Sequence, residues 1–364
     1  MKNMRIIVIK VGSSVIVKKS GRIDYNRISK IFNDIIDIDR DGYHVILITS
    51  GAVATGSTSS FSCGMTKKLK KQFFASIGQP KLMQFYSFIA NQHGKSVAQL
   101  LLTRNDFDNR EQYFAIKNTI LMLLMNNHVP IINNNDILQN KNCTFRDNDH
   151  LAACIGGMMN ADSVIFLSST DGVYQYSFQE TNHKLIELVK DKKAFDELYQ
   201  YIRNEQSYNG TGGMKSKLNA IKLLFDLGIK SYIASGHLES GIDDILFRKV
   251  NCSYFEPQKS KKITGIRKWL TIGAIPSGKI YASIIGGNVL RRNRNRGSLL
   301  ASGVKKISGF FIKGDVVSVY NEDNKLLGYG ITEYNSSDIL SIIGKKSIII
   351  IHANYFYGFD NEYF

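Results

Sequence analysis

Short apolar runs of strand character alternate with segments of helical periodicity through residues 1–250 of this 364-residue chain. Such alternation is the signature of parallel strands joined by helices that pack on the faces of the sheet. We therefore predict an α/β fold with an open, mostly parallel sheet sandwiched by helices. The strand candidates are Arg5–Ile9, Tyr43–Thr49, Val97–Leu102, Val129–Asn133, Ser163–Ser168 and Ile229–Ser235.

Two of the connecting helices can be placed by their apolar stripes and their end signals. Asp24 is the expected N-cap of a helix that ends near Gly42. A second helix is predicted from about Lys215 to Gly228. Both stripes are most simply explained as core contacts. They comprise Ile28, Ile31, Phe32 and Ile35 in the first helix, and Leu218, Ile221, Leu224 and Phe225 in the second.

The alternating pattern ends near Pro257, where the polar and cationic stretch QKSKKITGIRKW replaces it. We predict a first domain over residues 1–256, a linker region over 257–274 and a small β-rich domain over 275–364. The strand candidates of the small domain are Gly278–Ile284, Lys305–Ile312, Val316–Tyr320 and Lys346–Ile351.

Composition excludes several classes of protein. With 43% hydrophobic residues and only four prolines, the chain is neither disordered nor collagen-like. No apolar run approaches the roughly 18 residues of a membrane-spanning helix, and the run Ile6–Ile9 stops at Lys10, too early for a signal peptide. These features predict a cytoplasmic protein with no membrane partner. The four cysteines form no CxxC or Cys/His pattern, so they predict neither disulfides nor a zinc site.

The chain is basic, with a formal net charge of +16. Half of this excess lies in residues 261–364, which carry 15 Lys and Arg against 7 Asp and Glu. A basic domain is one signature of nucleic-acid binding. Its arginine run alternates with Asn and lacks aromatic residues, so a solvated loop is favoured and nucleic acid stays an open alternative. The run comprises Arg291, Arg292, Arg294 and Arg296, ahead of Lys305 and Lys306.

Five short loops rich in Gly, Ser, Asp and Asn follow predicted strands or precede predicted helices. In an open α/β sheet, ligands bind outside the carboxyl ends of the strands. Each loop by itself is also explained by an ordinary turn, a helix cap or a solvated charge. The loops are Lys10–Ser14, Ser50–Gly56, Asn133–Asp136, Asp147–Asp149 and Gly210–Lys217.

The residue types in these loops suit an amino acid and a phosphate group. The clusters at 133–136 and 147–149 offer amides and carboxylates for the ammonium and carboxylate of an amino acid. The small residues at 50–56 let backbone N–H groups approach an anion, and segment 210–217 adds a helix N-terminus with lysines. That segment is neither a GxxxxGK[ST] nor a GxGxxG loop, and the HRD and DFG motifs of protein kinases are absent. Phosphoryl transfer by this protein would therefore need a phosphate-binding loop of another kind.

The order of the loops along the chain carries a family resemblance. The segments VIKVGSS, ITSGAVATG, ASIGQPKLMQFY, LLTRNDFDNREQY, VPIINNND, FRDND, GTGGMKSK and RKW occur in the order found in the amino acid kinase family. They are most similar to members that phosphorylate free glutamate. The segment RGSLLASGVKKISGFFIKGDVVSVY resembles the PUA domain appended to many of them. This resemblance assigns catalysis to residues 1–256 and a PUA-like fold to residues 275–364.

The resemblance implies a kinase that uses ATP and Mg²⁺ to convert the side-chain carboxylate of L-glutamate to glutamyl 5-phosphate, the first step of proline biosynthesis. It further implies inhibition by proline, a homo-oligomer, and a downstream reductase that consumes the labile acyl phosphate. Two alternatives stay open. One is a sibling kinase for acetylglutamate, aspartate, carbamate or UMP, and the other is a degenerate kinase-like protein that binds RNA.

The same resemblance gives roles to individual residues. Lys10 and Lys217 match the lysines that neutralise the transferring phosphoryl group, and Asp149 matches the carboxylate that orients them. No protein ligand for a metal is assigned, and an acceptor carboxylate that is already ionised at neutral pH needs no general base. The expected glutamate contacts are Ser50, Gly51, Ala52, Asp136 and Asn148. The expected nucleotide contacts are Lys10, Gly12, Ser168, Ser169, Thr211, Gly212, Gly213, Met214, Lys215, Ser216 and Lys217.

Four places depart from the family pattern. Ser169 stands where relatives carry Asp after the fifth strand, and the nearby Asp171 either compensates or is a turn residue. The change at Ser169 bears on nucleotide handling, and none of the four departures removes a residue assigned to phosphoryl neutralisation. The others are Asn134 for Glu, Arg146 for Gly, and Cys252-Ser253 for Gly-Thr.

Overall fold

The structure of the protein is a computed structural model that describes residues 4–18, 20, 22–57, 64, 66–138, 145, 147–175, 184–203, 213–257, 265–292 and 297–359. The chain forms two compact units. One comprises Met1–Asp106 with Phe114–Lys261, and the other comprises Phe107–Tyr113 with Lys262–Phe364. None of the helices in the described ranges is both long enough and apolar enough to span a bilayer.

Helical segments separate the first five strands of the chain from one another. The helices are α1 (Ser13–Ile16), α2 (Tyr25–Arg40), α3 (Ala52–Gly56), α4 (Lys67–Gln92), α5 (Asn105–Asp108), α6 (Arg110–Met125), α7 (Asn148–Met159), α8 (Lys192–Arg203), α9 (Met214–Asp226), α10 (Ile242–Leu246), α11 (Gly265–Ile272), α12 (Ile284–Arg292) and α13 (Ser336–Ile342). The strands are β1 (Arg5–Val11), β2 (Tyr43–Ile48), β3 (Ser96–Leu102), β4 (His128–Asn134), β5 (Ser163–Ser168), β6 (Tyr174–Gln175), β7 (Lys184–Leu185), β8 (Leu188–Val189), β9 (Lys230–Ser235), β10 (Cys252–Phe255), β11 (Gly278–Ala282), β12 (Leu299–Leu300), β13 (Val304–Ser308), β14 (Val316–Tyr320), β15 (Leu326–Ile331), β16 (Ile349–Ile351) and β17 (Phe356–Gly358). Single 3₁₀ turns lie at Asp136–Leu138, Ala301–Gly303 and Ala353–Tyr355.

The main sheet has eight strands in the order β3-β4-β2-β1-β5-β9-β10-β8. The pairs from β3 to β9 are parallel, and β10 runs antiparallel to β9. The open, mostly parallel sheet predicted from the alternating pattern is therefore confirmed. Each of the six predicted strands is present, with ends that agree to within two residues. The carboxyl ends of the parallel strands meet at one edge, which gathers the loops that follow them.

The helix predicted after Asp24 shows how the apolar stripe builds the core of this unit. The Asp24 carboxylate accepts a hydrogen bond from the backbone N–H of Arg27 at 3.2 Å, which caps α2 as predicted. Its stripe is fully buried against β1 and β2, and it joins the core that also holds Tyr86 of α4. The buried stripe comprises Ile28, Ile31, Phe32 and Ile35.

Helices α3 and α4 pack backbone against backbone. A Cβ atom on Gly78 would lie 1.8 Å from the carbonyl oxygen of Ala52, and one on Gly56 would lie 1.9 Å from the carbonyl oxygen of Phe74. Only glycine permits this approach. It fixes α4 against the loop that follows β2, where Gly51 has φ = +96° and starts α3.

The second unit is built on a five-stranded sheet with the order β13-β11-β14-β15-β17. Its core also includes Leu299 of β12 and Ile350 and Ile351 of β16. The core residues include Ile280, Val317, Val319, Leu327, Phe311 and Phe356. Helix α11 belongs to this unit, although it lies inside the range 257–274 predicted as a linker.

Two of the four strand predictions in this unit miss an observed end by more than two residues, and a third runs two residues too far. The predicted strand to Ile284 stops at Ala282, because the Ser283 hydroxyl accepts a hydrogen bond from the backbone N–H of Gly286 and Ile284 begins α12. The strand predicted to Ile312 stops at Ser308, since Gly309 has φ = +91°. The strand predicted from Lys346 begins only at Ile349. Of the arginine run, the first two residues end α12, and Arg294 and Arg296 lie outside the described residues.

Candidate active site

Strand β1 marks the point where the strand order of the main sheet reverses. It pairs with β2 on one side and β5 on the other, and Lys10 lies opposite Ile48 and Phe166 near its carboxyl end. In open α/β sheets this switch point is where the crevice for a ligand forms. Lys10 is nevertheless only 6% exposed, which is unusual for a lysine at a strand end.

A single carboxylate connects the two predicted catalytic lysines. Oδ1 of Asp149 lies 2.6 Å from Nζ of Lys10, and Oδ2 lies 3.3 Å from Nζ of Lys217. Asp149 is 1% exposed, and Lys217 is 8% exposed. Three residues that are far apart in sequence thus form one buried cluster, in which two ammonium groups share one carboxylate.

The electrostatics of this cluster centre on Lys10. Burial lowers the pKa of Lys10 below its usual range, while the Asp149 carboxylate raises it and the nearby Lys217 ammonium lowers it. A second negative group beside the lysines would favour the charged form of Lys10. The arrangement therefore suits an anionic ligand.

Helices α7 and α9 bring their N-termini to the same place. Asp147 caps α7 by accepting a hydrogen bond from the backbone N–H of His150 at 2.9 Å. Its other oxygen accepts a hydrogen bond from the hydroxyl of Ser216 in the first turn of α9. Gly213 precedes α9, and within the part of the chain that the structure describes no side chain caps this helix, which leaves the N–H groups of Met214 and Lys215 for a ligand or solvent.

Gly12 lies beside the lysine cluster. Its backbone N–H donates to the carbonyl oxygen of Leu167 at 3.1 Å, and a Cβ atom at this position would lie 3.7 Å from Nζ of Lys10. The absence of a side chain keeps the approach to Lys10 open. Gly12, Gly213 and Lys10 are the predicted nucleotide residues that the structure places around the cluster, with Met214, Lys215, Ser216 and Lys217 on the first turn of α9.

The predicted acceptor residues lie on the other side of α7. Nδ2 of Asn148 donates to the carbonyl oxygen of Thr49 at 2.8 Å and lies 3.1 Å from the hydroxyl oxygen of Ser50. Gly51 and Ala52 follow directly and begin α3. The carboxylate of Asp136 lies 3.2 Å from Nζ of Lys71 and is 15% exposed. Asn148 and Ser50 are thus in contact, while Asp136 starts the 3₁₀ turn after β4.

Several polar residues of the site have no individual role in the sequence prediction, although Asn133 belongs to the predicted loop Asn133–Asp136. Asn133 accepts from Nδ2 of Asn148 at 2.9 Å and donates to Oε1 of Gln79 at 3.0 Å. The hydroxyl groups of Thr49 and Tyr86 lie 2.8 Å apart, and burial raises the pKa of Tyr86 to about 12. Asn133 and Gln79 lie in segments that carry the family resemblance, VPIINNND and ASIGQPKLMQFY, and a polar residue at the end of an apolar run is the signal that could have found them.

The loop after β5 places the two predicted nucleotide contacts Ser168 and Ser169 in different environments. Ser168 is buried and its carbonyl oxygen accepts from the backbone N–H of Gly236 at 2.8 Å, whereas Ser169 is exposed. The Asp171 carboxylate accepts a hydrogen bond from the hydroxyl of Tyr174 at 3.3 Å. The predicted contacts Thr211 and Gly212, and the departure Arg146, lie outside the described residues.

Ser253, one of the departures from the family pattern, keeps a structural hydroxyl. Its oxygen accepts from the backbone N–H of Val173 at 2.8 Å and donates to the carbonyl oxygen of Ile186 at 2.6 Å. Serine therefore preserves the tie between β10 and the segment after β5.

Among the residues that the structure describes, no group of three or more His, Cys, Asp or Glu side chains is arranged to hold a metal ion. Both carboxylates nearest the lysine cluster already have partners on each oxygen, since Asp149 pairs with two lysines and Asp147 accepts from His150 and Ser216.

Comparisons with known proteins agree with this geometry. Residues 5–235 match the amino acid kinase family, and residues 284–353 match the PUA domain. Glutamate 5-kinase 1 of Bacillus licheniformis is 36% identical over 97% of this chain and 98% of its own length. Glutamate 5-kinase of Dehalococcoides mccartyi is 33% identical over 94% of this chain and 91% of its own.

A solved structure supports the fold. Carbamate kinase from Giardia lamblia bound to AMP-PNP aligns with 71% of this chain and 100% of its own, with a TM-score of 0.50 and 16% identity. The resemblance predicted from the ordered loops and the PUA-like character of the basic tail are both confirmed.

Proposed function

Because the chain belongs to the amino acid kinase family, we propose that it transfers the γ-phosphoryl group of ATP to the side-chain carboxylate of L-glutamate. The product is glutamyl 5-phosphate, and the reaction opens proline biosynthesis. Relatives named glutamate 5-kinase match over nearly the whole chain, which supports glutamate as the acceptor. The reaction takes place in the cytoplasm.

The observation that carries this proposal is the buried cluster in which Asp149 bridges Lys10 and Lys217. Phosphoryl transfer passes through a state whose negative charge is spread over three equatorial oxygens, so catalysis is mainly positioning and charge stabilisation. The two ammonium groups are held by one carboxylate at the strand-order switch point. They are therefore oriented before the substrates arrive, which avoids reorganisation during the reaction.

The reaction balances without a proton transfer. An oxygen of the ionised glutamate side chain forms a bond to the γ-phosphorus, and the bond to the bridging oxygen breaks with its electron pair left on ADP. Because the acceptor carboxylate is ionised at neutral pH, no side chain has to remove a proton from it. Lys10 and Lys217 stabilise the charge of the transferring group, and Asp149 holds them in place.

The remaining predicted residues divide between the two substrates. The uncapped first turn of α9, from Gly213 to Lys217, and Gly12 contact the phosphates of ATP, and Ser168 and Ser169 lie on the nucleotide side. Ser50, Gly51, Ala52, Asp136 and Asn148 contact glutamate. The carboxylates of Asp147 and Asp149 already have protein partners, so a Mg²⁺ ion here would be held by the phosphate oxygens of ATP rather than by these side chains. When bound, Mg²⁺ supplies further neutralisation of phosphate charge.

The experiment is ADP release with Mg-ATP and a series of acceptors: L-glutamate, N-acetylglutamate, aspartate, carbamate and UMP. Hydroxylamine traps an acyl phosphate as the hydroxamate, so glutamate-dependent ADP together with hydroxamate supports the proposal. Folded protein that turns over a different acceptor, or none, would contradict it.

A pair of lysine variants connects the activity to the cluster. We expect Lys10→Ala to lower kcat by about 10²-fold or more with little change in folding. The matched control is Lys193→Ala, because the side chain of Lys193 is 88% exposed on α8. Turnover of the Lys10 variant near that of the control would remove Lys10 from the mechanism.

Three further properties complete the proposal. Proline inhibits the enzyme, the chain assembles as a homo-oligomer, and a reductase consumes the labile acyl phosphate. The glutamate assay repeated with proline tests the first, light scattering of the full chain tests the second, and coupling to an NADPH-dependent reductase tests the third. The absence of any one of these results rejects that property without affecting the kinase assignment.

A further inference from the structure

Three side-chain amides form a continuous hydrogen-bonded chain at the acceptor side of the site. Asn148 donates to Oδ1 of Asn133 at 2.9 Å, and Asn133 donates to Oε1 of Gln79 at 3.0 Å. The residues come from α7, β4 and α4, so the amide chain joins three elements that meet at the carboxyl edge of the sheet. We call these three residues the amide chain.

Two backbone groups fix the direction of the amide chain. The carbonyl oxygen of Thr49 can only accept, so the atom of Asn148 that lies 2.8 Å from it is the amide nitrogen. The backbone N–H of Asn134 can only donate, so the atom of Asn133 at 2.9 Å is the oxygen. Nδ2 of Asn133 therefore faces Gln79, and Oε1 of Gln79 accepts its hydrogen bond.

This direction leaves Nε2 of Gln79 as an unused donor. Within the part of the chain that the structure describes, this nitrogen is buried and has no hydrogen-bond partner, and Gln79 is only 7% exposed. At the other end, Oδ1 of Asn148 is a buried acceptor that has no partner among the described residues. Native proteins rarely leave a buried donor unpaired, so such an atom points to a ligand or a bound water.

The position of Gln79 shows which part of a ligand it can reach. Asn148 is adjacent in sequence to Asp149 of the lysine cluster, whereas Gln79 ends the amide chain at its far side. The neighbouring Gly78 lies against Ala52 so closely that a Cβ atom would be 1.8 Å from its carbonyl oxygen. Gln79 therefore lies beside the loop after β2 and away from the phosphoryl group.

We propose that Nε2 of Gln79 donates a hydrogen bond to the α-carboxylate of the amino-acid acceptor and makes Gln79 a specificity-determining residue. The inference rests on the proposed function, because it assumes that the acceptor's side chain faces the lysines. An N–H donor forms a stronger hydrogen bond to a charged carboxylate than to the oxygen of a neutral amide. The amide chain holds this donor rigidly, since its oxygen is fixed by Asn133.

The test compares L-glutamate with its α-amide, isoglutamine, which keeps the reactive side-chain carboxylate. We expect the wild-type chain to prefer glutamate in kcat/KM by about tenfold, because a hydrogen bond to a charged acceptor is about twice as strong as one to a neutral acceptor. Gln79→Glu should lower the ratio of kcat/KM for glutamate to kcat/KM for isoglutamine by at least about tenfold, mainly because the KM for glutamate rises. Its KM for glutamate should also rise with pH as the new carboxyl ionises, which a purely structural role would not produce.

A control and a second variant keep the test decisive. Gln92→Glu places the same charge on an exposed position of the same helix and should leave kcat/KM unchanged for both glutamate and isoglutamine. If Gln79→Glu does not fold, Gln79→Met removes the donor without adding charge and should lower the preference for glutamate by about tenfold. An unchanged preference in the folded variant overturns the inference and leaves Nε2 facing a bound water.

Failure of the inference can be separated from failure of the proposed function. If the wild-type chain turns over no amino acid, calorimetry of glutamate and isoglutamine with wild type and Gln79→Met still measures the contact. Weaker binding of glutamate alone in the variant supports the inference. Equal binding of both compounds to both proteins, or no binding at all, overturns it.

Discussion

Replacing Gly78 with alanine is the sharpest test of how the fold positions the acceptor side of the site. A Cβ atom at this position would lie 1.8 Å from the carbonyl oxygen of Ala52 and 2.5 Å from the backbone nitrogen of Gly56. Both obstacles are backbone atoms, so no side chain can rotate out of the way. The variant has to separate α3 from α4.

The size of the effect follows from these distances. A carbon and a carbonyl oxygen approach to about 3.3 Å, so the two helices have to separate by about 1.5 Å. Overpacking of this kind costs about 1–3 kcal/mol of the free energy of unfolding. The same movement displaces Ala52 from Gln79, and a misplacement of about 1 Å at a reacting site can lower kcat/KM by about 10²-fold.

Equilibrium unfolding in urea and steady-state kinetics with glutamate measure the two effects. Gly287→Ala is the matched control, because its Cβ would meet only Leu327 at 3.5 Å, and glycine to alanine in a helix stabilises by up to about 1 kcal/mol. The reasoning is refuted if the free energy of unfolding of Gly78→Ala is within about 0.5 kcal/mol of the wild-type value and its kcat/KM is within about threefold of wild type.

Three further changes have defined outcomes. Asp149→Asn removes the group that raises the pKa of Lys10, so the pKa of Lys10 should fall. The alkaline limb of the pH–rate profile should then move to lower pH, and kcat should drop by about 10²-fold. An alkaline limb at the same pH as in wild type contradicts this prediction. Tyr86→Phe removes the 2.8 Å contact with Thr49 and should cost about 1 kcal/mol in urea unfolding. That loss should be constant across neutral and mildly alkaline pH, because burial raises the pKa of Tyr86 to about 12. Ser169→Asp restores the carboxylate of the family pattern at an exposed position and should lower the KM for ATP while the KM for glutamate stays the same.

The main sheet and the lysine cluster could be predicted because each rests on a strong local signal. Apolar runs of strand length make parallel strands, and parallel strands bring their following loops to one edge. Lys10 follows the first run directly, and Asp149 and Lys217 lie in the first turns of helices that begin at that edge. The sequence order of the loops then distinguished this cluster from ordinary turns.

The errors came from positions where a single hydrogen bond or dihedral angle decides the outcome. Ile284 and Ile285 extend an apolar run, yet the Ser283 hydroxyl caps the next turn and starts a helix. Gly309 ends β13 through its positive φ. The role of Gln79 depends on which atom of Asn133 faces it, and that orientation is set by backbone groups of other elements.

The Asp147–Asp149 segment shows why helix capping alone does not explain the acidic and amide residues of this site. A cap requires only Asp147, which accepts from the backbone N–H of His150. Successive residues of a helix point about 100° apart, so the three side chains face different elements. Asp147 also reaches Ser216 of α9, Asn148 reaches β2 and β4, and Asp149 reaches the two lysines. The first turn of α7 therefore connects the proposed nucleotide side, the proposed acceptor side and the lysine cluster rigidly, and a displacement that misplaces one of them misplaces all three.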